Sequence, residues 1–301
     1  MTGHSHSHPS SSETTAFRVG FQGEIGAYSE EALAALYPGA TMVAYTSFEV
    51  AFEALTSGDV DRAVLPIENS LFGSVHQNYD LLLEHDLIIV GQVQLRIRHQ
   101  LMAPAGAMLD SIERVFSHPQ AIGQCRDFLR STLSGADVQP PYDTAGAAKK
   151  VAQEAIPTQA AIASKAAAAE YGLTILASDI ESNHANYTRF LALARPDSDP
   201  NQALHPDAMD TGEFRTSLVY TQRENVPGGL FKSLAVFALR DIDLLKIESR
   251  PLVGSPGQYV FYLDLSGHQD DEPVRNAVDH LQEIAARVRV LGSFRSGRIV
   301  G

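Results

Sequence analysis

Several short polar clusters stand where strands or helix starts are expected. PIENS (66–70) overlaps the end of the apolar run AVLPI (63–67) and closes it with Glu68, Asn69 and Ser70. In open α/β sheets, ligands bind just beyond the carboxyl ends of strands, so an acid, an amide and a hydroxyl there suit binding or proton transfer. SHPQAIGQC (117–125) sets Ser117 and His118 before a helix opened by Pro119, and Gln120 and Gln124, four apart, share a helix face. DTAGAA (143–148) reads as an Asp143 cap followed by small residues that pack closely. Helix starts at Ser29, Ser117 and Thr144 would offer backbone donors to an anion. Taken singly, each cluster is read as readily as a polar turn, a cap or a solvated face.

The elements that must position these clusters follow an α/β rhythm. FRVGF (17–21) predicts a buried strand. A helix with Ser29 as cap and Glu30 and Glu31 in its first turn runs to about Tyr37. MVAYT, a helix capped by Ser47 and ended by Gly58, and AVLPI continue the pattern, which argues for a mainly parallel sheet. Residues 92–98 alternate strictly, with Val93, Leu95 and Ile97 on one face, as in a strand with one wet face crossing between two lobes. A second set of α/β units follows, and TRFLALA (188–194) returns as a strand. Two lobes joined by crossovers leave a cleft, a usual place for a small-molecule site. Residues 196–213, with three prolines, read as a linker. Beyond it, TSLVY, a helix over 227–239, IDLLKIESR, QYVFYLDL, a helix over 273–287 and VRVLGSF give the order βαββαβ, which is ferredoxin-like.

Composition narrows the function classes. The 301 residues are 44% hydrophobic and 20% charged, ordinary for a globular chain of two domains. No apolar run reaches the length of a membrane span, and no secretion signal is recognised at the N-terminus. A net charge of −13 without a basic run argues against nucleic acid, and an anionic ligand must be held by local donors against the global field. One cysteine, Cys125, fits a reducing cytoplasm, and without a neighbouring His or Lys it reads as a small core residue. Residues 1–16 read as a disordered tail; His4, His6 and His8 alternate there, which a tag or floppy tail explains more simply than a metal site.

The clusters gain meaning as an ordered set. GEIGAYSEEA (23–32), PIENSLFG (66–73), SHPQAIGQC, DTAGAA, AAIAS (160–164) and NYTRF (186–190) resemble, in this order, the prephenate dehydratase family across residues 17–195. Residues 227–251, including ESRP, resemble the ACT regulatory domain attached to that family. The resemblance implies a two-lobed, periplasmic-binding-protein-like catalytic domain with a C-terminal ACT domain. It implies decarboxylative dehydration of prephenate to phenylpyruvate, without metal or cofactor, because aromatisation drives the reaction. With 16 residues before the first strand, a preceding mutase domain is not expected, and one activity is.

Carried over by position, the resemblance places catalysis on Thr188, as donor to the departing hydroxyl, and on Asn69 and Gln124, as substrate-orienting amides. Glu68 is the rival proton donor. The substrate shell is expected from Glu68, Ser70, Tyr28, Ser29, Ser117, Thr144, Arg189 and Phe190. Arg189 neighbours Thr188 on a strand and so points to the opposite face, where a structural ion pair competes with substrate contact. Effector binding, by L-phenylalanine, is implied for Gly228, Gly229, Leu230, Asp243, Glu248, Ser249 and Arg250. Two departures fall there: many relatives have Gly-Ala-Leu in place of Gly228-Gly229-Leu230, and Asn in place of Asp243. ESRP reads equally as a dimer salt bridge and strand stop. ACT domains pair, so a homodimer or homotetramer is expected, with no membrane or nucleic-acid partner. Arogenate dehydratase is the nearest alternative, its selectivity resting near Phe190 or Leu191; a non-catalytic amino-acid sensor on the same fold is the other.

Overall fold

A computed structural model describes residues 16–140, 143–205 and 212–301. The expectations for the tail and its histidines, and for part of the linker, lie outside the described residues.

The first lobe holds β1 (Arg18–Gln22), α1 (Tyr28–Leu36), β2 (Thr41–Tyr45), α2 (Phe48–Ser57), β3 (Arg62–Asn69), β4 (Gly73–Ser74), α3 (His76–Glu84) and β5 (Ile88–Arg96). Ser47 caps α2 as expected, accepting from the Val50 N–H at 3.4 Å, and Gly58 ends it at φ 87°. The start of α1 differs from the expected one. Ala27 is its cap, Ser29 turns into the packed face, and Glu30 reaches back to accept the Gly26 N–H. That bond ties the turn ahead of the helix to its first turn, and no side chain caps the helix itself.

The second lobe holds β6 (Gln100–Ala103), β7 (Arg114–Phe116), α4 (Pro119–Gln124), α5 (Arg126–Thr132), β8 (Asp137–Gln139), α6 (Thr144–Glu154), β9 (Gln159–Ala163), α7 (Lys165–Glu170) and β10 (Thr174–Ala177), with sheet order β10-β6-β9-β7-β8. The chain then returns as β11 (Tyr187–Ala194), antiparallel between β3 and β5 of the first sheet. Residues 97–99 and 178–186 are therefore the two crossovers between lobes. The lobes also touch through the 23–27 loop. Gly26, at φ 89°, lies so close to α7 that a Cβ there would sit 2.7 Å from the Ala167 Cα. Ser164 Oγ donates to its carbonyl at 2.6 Å, and Lys149 meets Glu24 at 2.8 Å.

The C-terminal domain has the expected βαββαβ order: β12 (Phe214–Gln222), α8 (Gly229–Ala238), β13 (Leu244–Pro251), β14 (Tyr259–Ser266), α9 (Glu272–Ile284) and β15 (Ala285–Arg295), in sheet order β13-β14-β12-β15. One sheet face packs under α8 and α9, around Leu218, Phe237, Leu263 and Leu281. The other face lies on the first lobe. Val219, Val260, Tyr262, Leu291 and Phe294 share a single buried cluster with Leu65, Ile67, Leu191 and Leu193.

That packing corrects two expectations. The second face of β5 is not wet: Gln92 is buried, and Gly292 of β15 lies against the Ile89 carbonyl, where a Cβ would sit 2.2 Å away. Nor is the linker a loose tether. Its described part buries Leu204 in the first lobe's core, and Arg62 donates to the Asp199 carbonyl at 2.5 Å. Beyond β15, a short strand, β16 (Ile299–Val300), pairs parallel with β5 at Ile299↔Gln94 and Val300↔Leu95 and forms an edge of the first-lobe sheet. Among the described residues, no helix is long and apolar enough to cross a membrane.

Candidate active site

The β3–β11 pair carries the central geometry. Along β3, Ala63, Leu65 and Ile67 point to the C-terminal domain and Val64 points the other way. Strict alternation would send Asn69 with Ile67 and Glu68 with Val64. The ladder is instead irregular: Thr188 opposes Asn69, Arg189 opposes Glu68, and Phe190 opposes Pro66, which leaves Ile67 as an extra residue. A bulge of this kind re-aims the side chains beyond it. Asn69 thereby joins Thr188 on one face, and Glu68 joins Arg189 on the other.

On the first face, hydrogen bonds define every amide orientation. Asn69 Oδ1 accepts the Leu71 and Phe72 N–H groups at 2.9 and 3.1 Å. Its Nδ2 donates to Asn186 Oδ1 and Thr188 Oγ1, both at 2.9 Å. An amide has two donor hydrogens and a carbonyl oxygen with two lone pairs, so Asn69 is saturated. Its expected contact with a substrate is therefore corrected: it holds Thr188 and Asn186 in place. Thr188 is almost wholly buried, and its oxygen already accepts from Asn69, which leaves its own O–H to be donated elsewhere.

Gln124, at the end of α4, stands in a second group that spans the lobes. Its Oε1 lies 2.5 Å from His99 Nε2, and His99 Nδ1 lies 2.8 Å from the Tyr28 hydroxyl. Tyr28 belongs to the first lobe, His99 to the first crossover and Gln124 to the second lobe. The His99 N–H donates to Glu181 of the second crossover at 3.0 Å. Burial lowers the pKa of His99, against the Gln124 hydrogen bond and the Glu181 charge, which raise it. Burial first, then Glu31 and other nearby acids, raise Tyr28 well above the usual phenol range. A neutral imidazole with its proton on Nε2 donates to Gln124, and Tyr28 shares its single proton between Nδ1 and the Arg98 carbonyl at 2.9 Å. Gln124 then keeps its NH₂ group for another acceptor. His99 escaped the sequence reading; its signal was a histidine at the end of the crossover run QLRIRHQ.

The opposite face is ionic and belongs to the domain boundary. Arg189 Nη1 lies 2.5 Å from Asp264 of β14, and its Nε lies 3.6 Å from Glu68. Lys246 of β13 holds Glu68 at 2.8 Å. Arg215 reaches Asp264 at 3.4 Å and Ser217 Oγ donates to it at 2.5 Å. Burial alone would raise the Asp264 pKa; Arg189, Ser217 and Arg215 together hold it below the usual carboxylate range. Glu68 as proton donor, and Arg189 as substrate cation, are thus both corrected by the strand faces they occupy.

Other expected contacts are likewise occupied. Ser117 is fully buried and donates to the Ile162 carbonyl at 2.6 Å. Thr144 opens α6, where Asp143 already places its own carboxylate on the Gly146 N–H at 2.5 Å. Ser70 ties β3 to β11, donating to the Ala185 carbonyl and accepting the Tyr187 N–H, both at 2.9 Å. Phe190 packs in the first lobe's core on the Thr188 face, and Leu191 in the interdomain cluster. Cys125 is buried among Leu129, Ile162 and their neighbours, and burial pushes its thiol pKa far up. An open hollow beside the second crossover is lined by Asp127, Asp179, Glu181 and His184; its carboxylates repel a dicarboxylate.

In the C-terminal domain, the expected effector residues separate. Glu248 accepts from Ser74 Oγ at 2.5 Å and lies 3.3 Å from His76, while Arg250 pairs with Asp80 at 2.8 Å. Both therefore contact the catalytic lobe of their own chain. Ser249 is exposed on the other strand face, Gly228 caps α8 at φ 79°, Gly229 lies against the Gln222 side chain, and Leu230 and Asp243 are exposed.

Comparison with known proteins places the chain in a family. A family model described as prephenate dehydratase matches residues 19–198. Arogenate dehydratase/prephenate dehydratase 2, chloroplastic, of Arabidopsis thaliana is 48% identical over 287 residues, which is 92% of this chain and 72% of that one. The structure of a prephenate dehydratase from Arthrobacter aurescens in complex with L-Phe is similar at a TM-score of 0.82 and 34% identity, covering 92% of this chain and 90% of that one. A structure described as a novel type of quorum-quenching acylase is similar at the same TM-score and 33% identity, over 93% and 98% of the two chains. The chain belongs to the prephenate dehydratase family.

Proposed function

We propose that this protein converts prephenate to phenylpyruvate, feedback-regulated by L-phenylalanine at its C-terminal domain. The observation that carries the catalytic half is the Thr188 hydroxyl, whose oxygen is held by Asn69 so that its proton is available to a leaving group. In the reaction, the bond from the ring to its carboxylate breaks and the electron pair enters the ring. The C–O bond breaks in turn, hydroxide departs, and the ring becomes aromatic. Threonine is too weak an acid to transfer its proton outright, but one placed hydrogen bond to developing charge is worth about 3 kcal/mol. Gln124 NH₂ offers a further neutral donor. Neutral donors suit a dianion here, because Arg189 and Lys246 are committed to the domain boundary.

Arogenate is the second candidate substrate, favoured by the name of the Arabidopsis relative. It carries an ammonium where prephenate has a keto group and undergoes the same bond changes.

For regulation, Gly228 to Leu230 stand at one end of α8 and Asp243 lies beyond the other. Ten helical residues span about 15 Å, so a small effector that meets both groups meets them on two chains. Exposed Leu230, Phe231, Leu239, Leu245 and Ile247 support pairing with a second copy, as a homodimer or a dimer of dimers. A reducing cytoplasm remains the expected setting.

The test is purified protein with prephenate, and with arogenate in parallel, each with and without L-phenylalanine, following keto-acid or amino-acid product. Phenylpyruvate formation that L-phenylalanine suppresses is the expected result. Turnover of arogenate alone moves the assignment to that substrate, and silence on both overturns the catalytic reading.

A further inference from the structure

Asn186 is a buried residue with a polar atom left over. It is fully inaccessible to solvent, and its Nδ2 has no hydrogen-bond partner among the described residues. Buried amide donors are rarely left unpaired, and each exception calls for an explanation. The orientation is not a matter of choice between the two ends of the amide. Leu71 and Phe72 N–H groups fix Asn69 Oδ1, which fixes Asn69 Nδ2, which can donate only to an oxygen; Asn186 must therefore turn its Oδ1 to Asn69 and leave its buried NH₂ group unpaired. The same Asn69 Nδ2 holds Thr188 Oγ1. Two donors, the Thr188 O–H and the Asn186 N–H, thus flank one anchored amide, the first on β11 and the second at the end of the crossover that leads into it.

Resting on the dehydratase reading above, we propose that Asn186 is a second donor to the departing hydroxyl, acting with Thr188 as a two-donor cradle for the oxygen as it takes up negative charge. No proton changes owner in this step: the C–O bond pair leaves with the oxygen, and both residues keep their hydrogens. The first crossover locks the position, because its Ile97 N–H donates to the Asn186 carbonyl at 2.8 Å.

Asn186→Asp tests this with little change of shape. Asn69 keeps an acceptor, but an ionised carboxylate replaces the donor. Loss of a donor used only as charge develops lowers kcat and leaves KM nearly unchanged. We expect kcat to fall about a hundredfold at neutral pH, and to recover partly as pH is lowered and the protonated aspartate regains an O–H, a rise that wild type does not show. Asn186→Ala should lose a similar factor at every pH. Wild type is assayed on prephenate and arogenate alongside. An active wild type with Asn186→Asp at normal kcat overturns this inference alone, as does a defect confined to KM or one explained by a lowered Tm. A wild type inactive on both substrates overturns it together with the dehydratase reading.

Discussion

The two faces of the β3–β11 strand pair differ in kind. One presents amides and a hydroxyl, with Asn69, Asn186 and Thr188 joined by bonds of 2.9 Å and no charge among them. The other, one residue away along each strand, presents Glu68 and Arg189 to Asp264 and Lys246 of the C-terminal domain. Neutral groups can be held rigidly in a buried place at modest desolvation cost, whereas charges there must be paired. The fold thus keeps its ions for the domain boundary and its dipoles for the proposed site. Because the two sets alternate on the same backbone, a shift of the C-terminal sheet bears directly on the strand that carries Thr188.

The contrast can be broken at its ionic side first. Arg189→Met leaves Asp264 buried with the Ser217 hydroxyl and only the more distant Arg215 as a cation, and should cost about 3 kcal/mol of stability, measured by urea unfolding. The double variant Arg189→Met/Asp264→Leu should regain most of it; no recovery would mean that the pair matters for something other than charge compensation. The same carboxylate sets an acid limit. Its folded pKa lies below the ordinary value of 3.8, so its contribution is complete above that value and is lost as pH falls through the folded one. The stability gap between wild type and Asp264→Asn should be flat near neutrality and shrink only below about pH 4.

On the neutral face, Thr188→Ala should reduce turnover about a hundredfold with the fold intact; near-normal activity would remove Thr188 from the mechanism. His99→Ala frees the Gln124 side chain and should cost about tenfold in kcat, while His99→Gln, which keeps a donor near the Nε2 position, should recover most of that. Equal loss in both variants would assign His99 to packing alone. The smallest effect belongs to Glu68→Gln. With its carboxylate turned to Lys246, kcat should change by less than about threefold; a large loss, or loss of the acid limb of the pH profile, would restore Glu68 as proton donor.

How far the sequence could be followed varies by residue. The α/β rhythm and the βαββαβ order were readable, since apolar periodicity records which face is buried. The opposite faces of Thr188 and Arg189 followed from strand geometry alone. Applied to β3, the same rule fails, because the bulge at Ile67 is made by pairing with β11 and leaves no local mark. His99 and Asn186 were missed for a related reason. Their partners, Gln124 and Asn69, lie 25 and 117 residues away, and only the crossovers bring them together. Glu248 and Arg250 looked like effector ligands because neither Ser74 nor Asp80 signals its approach in the chain.

By itself, then, the sequence determined the family, the two lobes and the C-terminal domain, because ordered motifs and periodic burial are properties of the chain. Only the tertiary structure decided which face each acid and amide occupies, that the C-terminal sheet lies flat on the catalytic lobe, and that residues 299–300 pair beside β5. Those outcomes depend on ladder register and on apolar area shared between distant segments, and neither is written in local spacing.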